Sequence, residues 1–283
     1  MYLLDNDWDV SSERFLSSTR GHSGPPHRSL QHSESVLEEM EFRIDYAYAL
    51  NMFKVLLLAG SAELFVVVVA PPKRATGGSK PVYTGQLFEF LVRYMAYVGC
   101  YSVSASALCH SVLILYANNE AWTGNATRWL CPSMPPALDP LTKLSPAFIV
   151  GVFFVSVGAF IRLWAYASLG SLFTFEVVIK NNHRLITSGP YRLVRHPAYI
   201  SLWLLLLGTH LIHFGEGGYV TYCNIAATPF VVVVLIWKVG SVFSVISLYK
   251  RCSIEDAQLR DRFKDEWEDY RQAVPYALIP FVI

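Results

Sequence analysis

Between His183 and Tyr199 the chain reads HRLITSGPYRLVRHPAY, a dense basic and aromatic segment in a sequence otherwise built of long apolar runs. Gly189, Pro190 and Pro197 break any regular helix there, while His183, Arg192, Arg195 and His196 supply charged and hydrogen-bonding groups. Tyr191 and Tyr199 add aromatic faces that can enclose a ligand, and a cation over such a face gains about 0.5–2 kcal/mol. Directly afterwards comes YISLWLLLLGTHLIHF, a run with the character of a membrane helix. A polar loop pressed against such a helix predicts a site at a bilayer surface. Far downstream lies a second polar group: Arg251 and Glu255 are four residues apart, so a helix places them on one face.

These groups need a scaffold, and composition says which kind. The 283 residues are 53% hydrophobic and 16% charged, against about 25% charged in a typical soluble domain, which makes lipid part of the solvent. Five apolar spans are expected, at about 46–70, 87–117, 147–166, 198–214 and within 222–248. Their continuity favours helices over the alternating segments of a barrel. The expected fold is therefore an all-α integral membrane protein, a multi-span helical bundle with a cytosolic cofactor-binding cap. Residues 1–45 read as a polar, turn-rich tail and 46–283 as the membrane domain, with the chemistry-bearing region at 153–283. A formal net charge of +1 offers nothing to nucleic acid. The five cysteines form no CxxC pair and no obvious disulfide framework, and no metal-ligand spacing is present.

Charge placement orients the spans. Lys73, Arg74 and Lys80, then Lys180 to Arg195, then the basic residues after Lys250 all fall on one side of a five-span chain. The positive-inside rule puts that side in the cytosol, and the sequon Asn125-Ala126-Thr127 then falls on the lumenal side. Of the ionisable residues near the spans, Lys54 and Arg93 are expected to snorkel to an interface. Arg162, close to the cytosolic end of its span, is expected to orient the polar loop and to contact substrate.

These residues resemble the isoprenylcysteine carboxyl methyltransferase family, including its fungal and prokaryotic members. The likeness rests on His183 followed by a TxGPYxxxRHPxY core, here Thr187, Gly189, Pro190, Tyr191, Arg195, His196, Pro197 and Tyr199, just before a membrane helix. Leu169-Gly170 and Phe173-Thr174 resemble the approach to that core. A second match places Arg251, Glu255, Leu259, Phe263, Trp267, Tyr270, Val274, Pro275 and Pro280 on the family's C-terminal pattern. Together the matches run from about Phe153 to Ile283. Two departures stand out: Asp256 is one methylene shorter than the usual second acid, and Ser201 stands where glycine is frequent.

The resemblance implies a methyltransferase of the endoplasmic reticulum membrane with its site facing the cytosol. It implies S-adenosylmethionine as donor and the carboxylate of a prenylated cysteine, at the membrane lipid, as acceptor. On that reading His183, Leu185, Gly189, Pro190, Tyr191, Arg195, His196, Pro197, Tyr199 and Glu255 bind the donor. Arg162 and Arg251 bind the acceptor, and Arg251 and Glu255 are the catalytic pair. Arg251's planar fork suits a carboxylate, and an ionised carboxylate needs no strong general base, so alignment and desolvation carry the rate. Methylation of another lipophilic acid or of a phospholipid, a sterol-reductase-like reaction, and an inactive scaffold or transporter are the alternatives. Most of Arg251–Asp269 is otherwise accounted for as an amphipathic helix.

Overall fold

Inside a bilayer the backbone has no water to bond, so apolar runs of membrane length satisfy it internally as helices. The structure, a computed structural model, describes residues 27–70, 87–117, 125–132, 138–170 and 184–282. Helices in chain order are α1 (His27–Val69), α2 (Leu87–Ala117), α3 (Asn125–Leu130), α4 (Asp139–Thr142), α5 (Pro146–Leu169), α6 (Pro197–Phe214), α7 (Tyr219–Tyr222), α8 (Val231–Phe263) and α9 (Asp265–Ala273). Two 3-10 turns join them, at Gly189–Arg192 and Ile225–Ala227. Among the described residues there is no strand, and five helical segments, from α1, α2, α4–α5, α6–α7 and α8, are long and apolar enough to cross a membrane. This is the architecture of an all-α, multi-span membrane protein.

The chain divides into two units, Met1–Ala47 and Tyr48–Ile283. In the first, Glu39 and Arg43 form an exposed ion pair one turn apart, at 3.2 Å. The second holds the apolar core: Leu58 and Phe65 from α1, Val103 from α2, Val155 and Ala159 from α5, Leu205 and Ile212 from α6, and Trp237 from α8.

Helices α5 and α6 make the closest pair. Ser145 caps α5, its Oγ accepting from the Phe148 amide at 3.2 Å, and Pro146 occupies the first turn where a missing N–H costs nothing. Glycines then let the two backbones touch. A Cβ on Gly151 would stand 2.8 Å from the Gly208 carbonyl oxygen, one on Gly158 2.8 Å from that of Ser201, and one on Gly208 2.6 Å from that of Gly151. Without a hydrophobic drive between helices in lipid, such small-residue contact is what holds a pair together.

Three sequence expectations are corrected here. Lys54 does not snorkel: it is fully buried, and its Nζ donates to the carbonyls of Leu141 at 2.7 Å and Lys143 at 2.6 Å, above the ring of Phe148. Those carbonyls flank the end of α4, and burying the ammonium satisfies acceptors no backbone N–H reaches. The cysteines do include a bridge, Cys131–Cys223, between residues 92 apart in sequence. Spacing alone hid it because the partners come from the segment after α3 and the end of α7. The last span, expected within 222–248, starts inside that window at Val231 but runs on beyond it to Phe263. Residues 219–230 are spent on α7 and the second 3-10 turn, entered through Asn224 in the left-handed region.

The α5–α6 contact gives a direct test. Gly208→Leu should lower the thermal unfolding midpoint in detergent, an overpacking cost of about 1–3 kcal/mol, because the atoms it meets are backbone. Gly60→Leu, where a Cβ meets nothing within 4 Å, should leave the midpoint unchanged; equal behaviour of the two variants refutes the close-packing account.

Candidate functional site at one end of the bundle

The polar loop, the start of α6, the end of α8 and the segment after α9 meet at one end of the bundle. Gly189 opens the loop with φ +63°, a backbone conformation glycine adopts without strain. Side-chain space is closed there as well, since a Cβ would lie 2.3 Å from Ser168 Oγ on α5. Pro190 is the second residue of the 3-10 turn, and its carbonyl accepts from Leu193 N at 3.1 Å. His196 stands at the N-cap of α6, with Pro197 in the first turn. The turn residues thus do the shaping, and leave Tyr191, Arg195, His196 and Tyr199 to face a cavity.

A chain of alternating charges runs across that end. Arg195 Nη2 lies 3.1 Å and Nε 3.2 Å from Asp256 Oδ2, and the other oxygen of Asp256 is 3.0 Å from His196 Nε2. On the opposite edge of the imidazole, Nδ1 is 3.4 Å from Glu255 Oε2. The remaining oxygen of Glu255 accepts from Arg251 Nε at 3.0 Å and from the Tyr199 hydroxyl. Tyr199 stacks on His196, ring centroids 5.5 Å apart and nearly parallel, and Arg251 lies 5.9 Å from the same tyrosine ring. Burial disfavours the charged imidazole, but its hydrogen bonds to the Asp256 and Glu255 carboxylates, and then their charges, lift the His196 pKa to about 9. It is an imidazolium at neutral pH and donates from both nitrogens.

The C-terminal segment ties down the far side of the loop. Arg195 N donates to Tyr276 O at 2.9 Å and His196 N to Ala277 O at 2.8 Å, while Arg195 Nη1 donates to Val274 O at 2.9 Å. Tyr270 on α9 donates from its hydroxyl to Tyr191 O at 2.8 Å. Burial holds both the Tyr191 and the Tyr270 hydroxyls protonated, well above the usual phenol range. These contacts give the Val274-Pro275 part of the C-terminal pattern a physical role: it delivers carbonyls to the loop.

Arg251 and Glu255 do share a face of α8, one turn apart, and Glu255 touches His196 and Tyr199 of the loop. Leu185, Tyr191, Arg195, His196 and Tyr199 line one cavity together with Arg251 and Glu255. Gly189, Pro190 and Pro197 shape the backbone behind it. Arg162 also reaches the cavity wall, but its guanidinium is occupied: Nε donates to Val68 O at 2.8 Å and Nη1 to Ala198 O at 2.7 Å. It thereby joins the end of α1 to the first turn of α6. His183 and the Phe173-Thr174 approach lie outside the described residues. Asp256 is the residue the sequence undervalued, because nothing in its spacing tells that it bridges Arg195 and His196. Tyr166, one turn beyond Arg162 on α5, donates from its hydroxyl to the same Val68 O at 2.9 Å.

The cavity is about 720 Å³ and amphipathic, within the range of small-molecule sites. Its polar end carries the charge chain, and its apolar part extends between α2 and α8 along Met95, Ala96, Val239 and Leu248. Such a space suits a charged, water-soluble molecule beside a polar head with an oily tail.

Known proteins share this region. Residues 150–216 match the sequence model of the isoprenylcysteine carboxyl methyltransferase family. The chain is 34% identical over 135 residues to a probable protein-S-isoprenylcysteine O-methyltransferase of Oryza sativa subsp. indica, covering 47% of this chain and 61% of the relative. It is 32% identical over 124 residues to the protein-S-isoprenylcysteine O-methyltransferase of Schizosaccharomyces pombe, covering 43% and 45%. With the Xenopus laevis protein of the same name it shares 26% identity over 198 residues, 69% of this chain and 59% of the relative. The matches thus span from 45% to 61% of these curated relatives' own length.

The charge chain makes the end of the bundle pH-sensitive. His196 titrates near 6.5 when unfolded and at about 9 when folded. Its contribution to stability is therefore complete below pH 6.5 and is lost as pH rises through about 9, on the order of 3 kcal/mol in all. Thermal midpoints measured from pH 6 to 10 should fall across that window, and Asp256→Asn should move the fall to lower pH. A flat profile, or one that Asp256→Asn leaves in place, contradicts the arrangement.

Proposed function

We propose, from a chain that carries the isoprenylcysteine carboxyl methyltransferase family region at residues 150–216, that it is an S-adenosylmethionine-dependent enzyme methylating the C-terminal carboxylate of a prenylated cysteine. The observation that carries this reading is the charge chain from Arg195 to Arg251, which joins the loop to the end of α8 over one amphipathic cavity.

The residues present fit the donor. It bears an ammonium, a carboxylate and a sulfonium, and the polar end offers both signs of charge together with the Tyr191 and Tyr199 rings. Leu185, Tyr191, Arg195, His196 and Tyr199 would hold it, with Glu255 facing its cationic groups. When bound it supplies an activated methyl group, which an ionised carboxylate oxygen can accept without a general base.

The chain's own part is alignment. Arg251 presents its fork toward the acceptor carboxylate while Glu255 holds its Nε. Glu255 is fixed in turn by His196 and Tyr199, so the guanidinium keeps one direction. Ordering both reactants in a partly dry cavity replaces a bimolecular encounter with a local one. The isoprenoid tail lies in the apolar part between α2 and α8, where prenylated chain ends arrive from the membrane. Arg162 positions the first turn of α6 and reaches the substrate chiefly through that backbone.

We place the protein in the endoplasmic reticulum membrane with this end in the cytosol. Positive charge near the loop supports that orientation. So does the Cys131–Cys223 bridge at the other end, since disulfides persist on the oxidising side.

The test incubates the full chain in lipid vesicles with methyl-labelled S-adenosylmethionine and N-acetyl-S-farnesylcysteine, terpenoid acids or phospholipids as acceptors. Base-labile label on farnesylcysteine is the expected result; stable label on an amine, or label on a terpenoid acid alone, overturns it. Arg251→Ala and Glu255→Ala should each cut turnover by about 100-fold or more, as loss of charge-assisted alignment does, with little change in protein abundance. Arg251→Lys should not rescue, because an ammonium lacks the fork.

A further inference from the structure

At the end of the bundle opposite the charge chain, a second cavity of about 250 Å³ lies under the short helices α3 and α7. Helices α2, α6 and α8 wall it, and its mouth opens on the outer surface, where Ala105, Trp129, Phe230 and Val233 are exposed. In a membrane that surface meets lipid. Two polar atoms of the lining residues lack hydrogen-bond partners among the described residues. One is Nδ1 of His213, a side chain only 4% exposed in the last turn of α6; the other is Nε1 of Trp237 on α8. The Tyr219 hydroxyl, also at the cavity, has its hydrogen committed to Leu130 O at 2.8 Å. Buried polar groups are nearly always paired, so an imidazole left in this state asks for a ligand.

We propose that this cavity binds the hydroxyl end of a membrane sterol, with His213 as its hydrogen-bond partner. The site is separate from the methylation chemistry and does not depend on it. None of the residues lining the cavity is a lysine, arginine, aspartate or glutamate. A phosphate or carboxylate head would therefore be buried there without a counter-charge, which excludes phospholipids and fatty acids. A hydroxyl fits instead. It accepts from an indole N–H, and it either donates to or accepts from an imidazole nitrogen, whichever tautomer is present. His213 is next to the last residue of α6, so it stands near the water boundary, where a sterol in a bilayer carries its hydroxyl. On the α2 side, Ser102, Ala105 and Ser106 make a wall of small side chains, against which a flat ring system packs closely. A rigid body also loses little torsional freedom on entry, an advantage over a flexible alcohol or a diacylglycerol. The cavity encloses the hydroxyl-bearing end, and the remaining rings and tail lie in lipid outside the mouth.

The experiment places the full chain in phosphatidylcholine vesicles with cholesterol carrying a photoreactive diazirine in its ring system, and maps the labelled peptides by mass spectrometry. Label should fall on the α2 and α8 segments that line the cavity. Unlabelled cholesterol should displace it, while cholestane, which lacks the oxygen, should compete about five- to tenfold more weakly, the scale of one hydrogen bond. His213→Phe should weaken labelling by a similar factor. His210→Phe, which alters an exposed histidine on the same helix, should leave it unchanged. Ala105→Trp fills the mouth from an exposed position and should abolish labelling of the cavity; it decides the matter should His213→Phe fail to fold. Equal competition by cholestane, unchanged labelling in folded His213→Phe, or label confined to peptides outside the cavity overturns the proposal. So does displacement by farnesol or a diacylglycerol but not by cholesterol.

Discussion

The imidazolium of His196, held between Asp256 and Glu255, is the interaction on which this end of the bundle depends. An isolated charge buried at a membrane boundary is costly, and removal of one partner from a buried pair leaves that cost exposed. Here the three inner charges, Asp256, His196 and Glu255, each have an opposite neighbour on both sides, with Arg195 and Arg251 closing the two ends. The carboxylates come from α8 and the histidine from the N-cap of α6. The chain of charges is therefore also the joint between two parts of the sequence sixty residues apart, and anything that neutralises one member loosens the contact between loop and helix.

Everything around that joint restricts where its members can stand. The glycine contact of α5 with α6 fixes the first turn of α6, since Gly158 abuts the Ser201 backbone. Arg162 adds hydrogen bonds from α5 to the end of α1 and to Ala198. From the other side the segment after α9 accepts the amides of Arg195 and His196. At the opposite end Lys54 and the Cys131–Cys223 bridge secure short helices that close the bundle. A site assembled from separated segments needs this much bracing, because a shift of an ångström costs alignment before it costs folding.

The same bundle resolves a conflict between two solvents. On the function proposed above, a donor dissolved in water and an acceptor dissolved in lipid have to meet with their reactive ends together. Continuity between the charged end and the trough along α2 and α8 answers that requirement without a separate domain.

Much of this was legible in the chain by itself. Span number, helical class and the four-residue relation of Arg251 to Glu255 follow from periodicity and from the bilayer's demand on the backbone, which are local properties. So does the loop's irregular shape, written in Gly189, Pro190 and Pro197. What only the tertiary structure decided was partnership. Asp256 reads only as a shortened second acid beside Glu255 until Arg195 and His196 arrive beside it, and Lys54 reads as a snorkelling lysine until the Leu141 and Lys143 carbonyls are set around it. Cys131 finds Cys223 for the same reason: these outcomes depend on which distant segments are neighbours, and one-dimensional spacing carries no record of neighbours contributed by other helices.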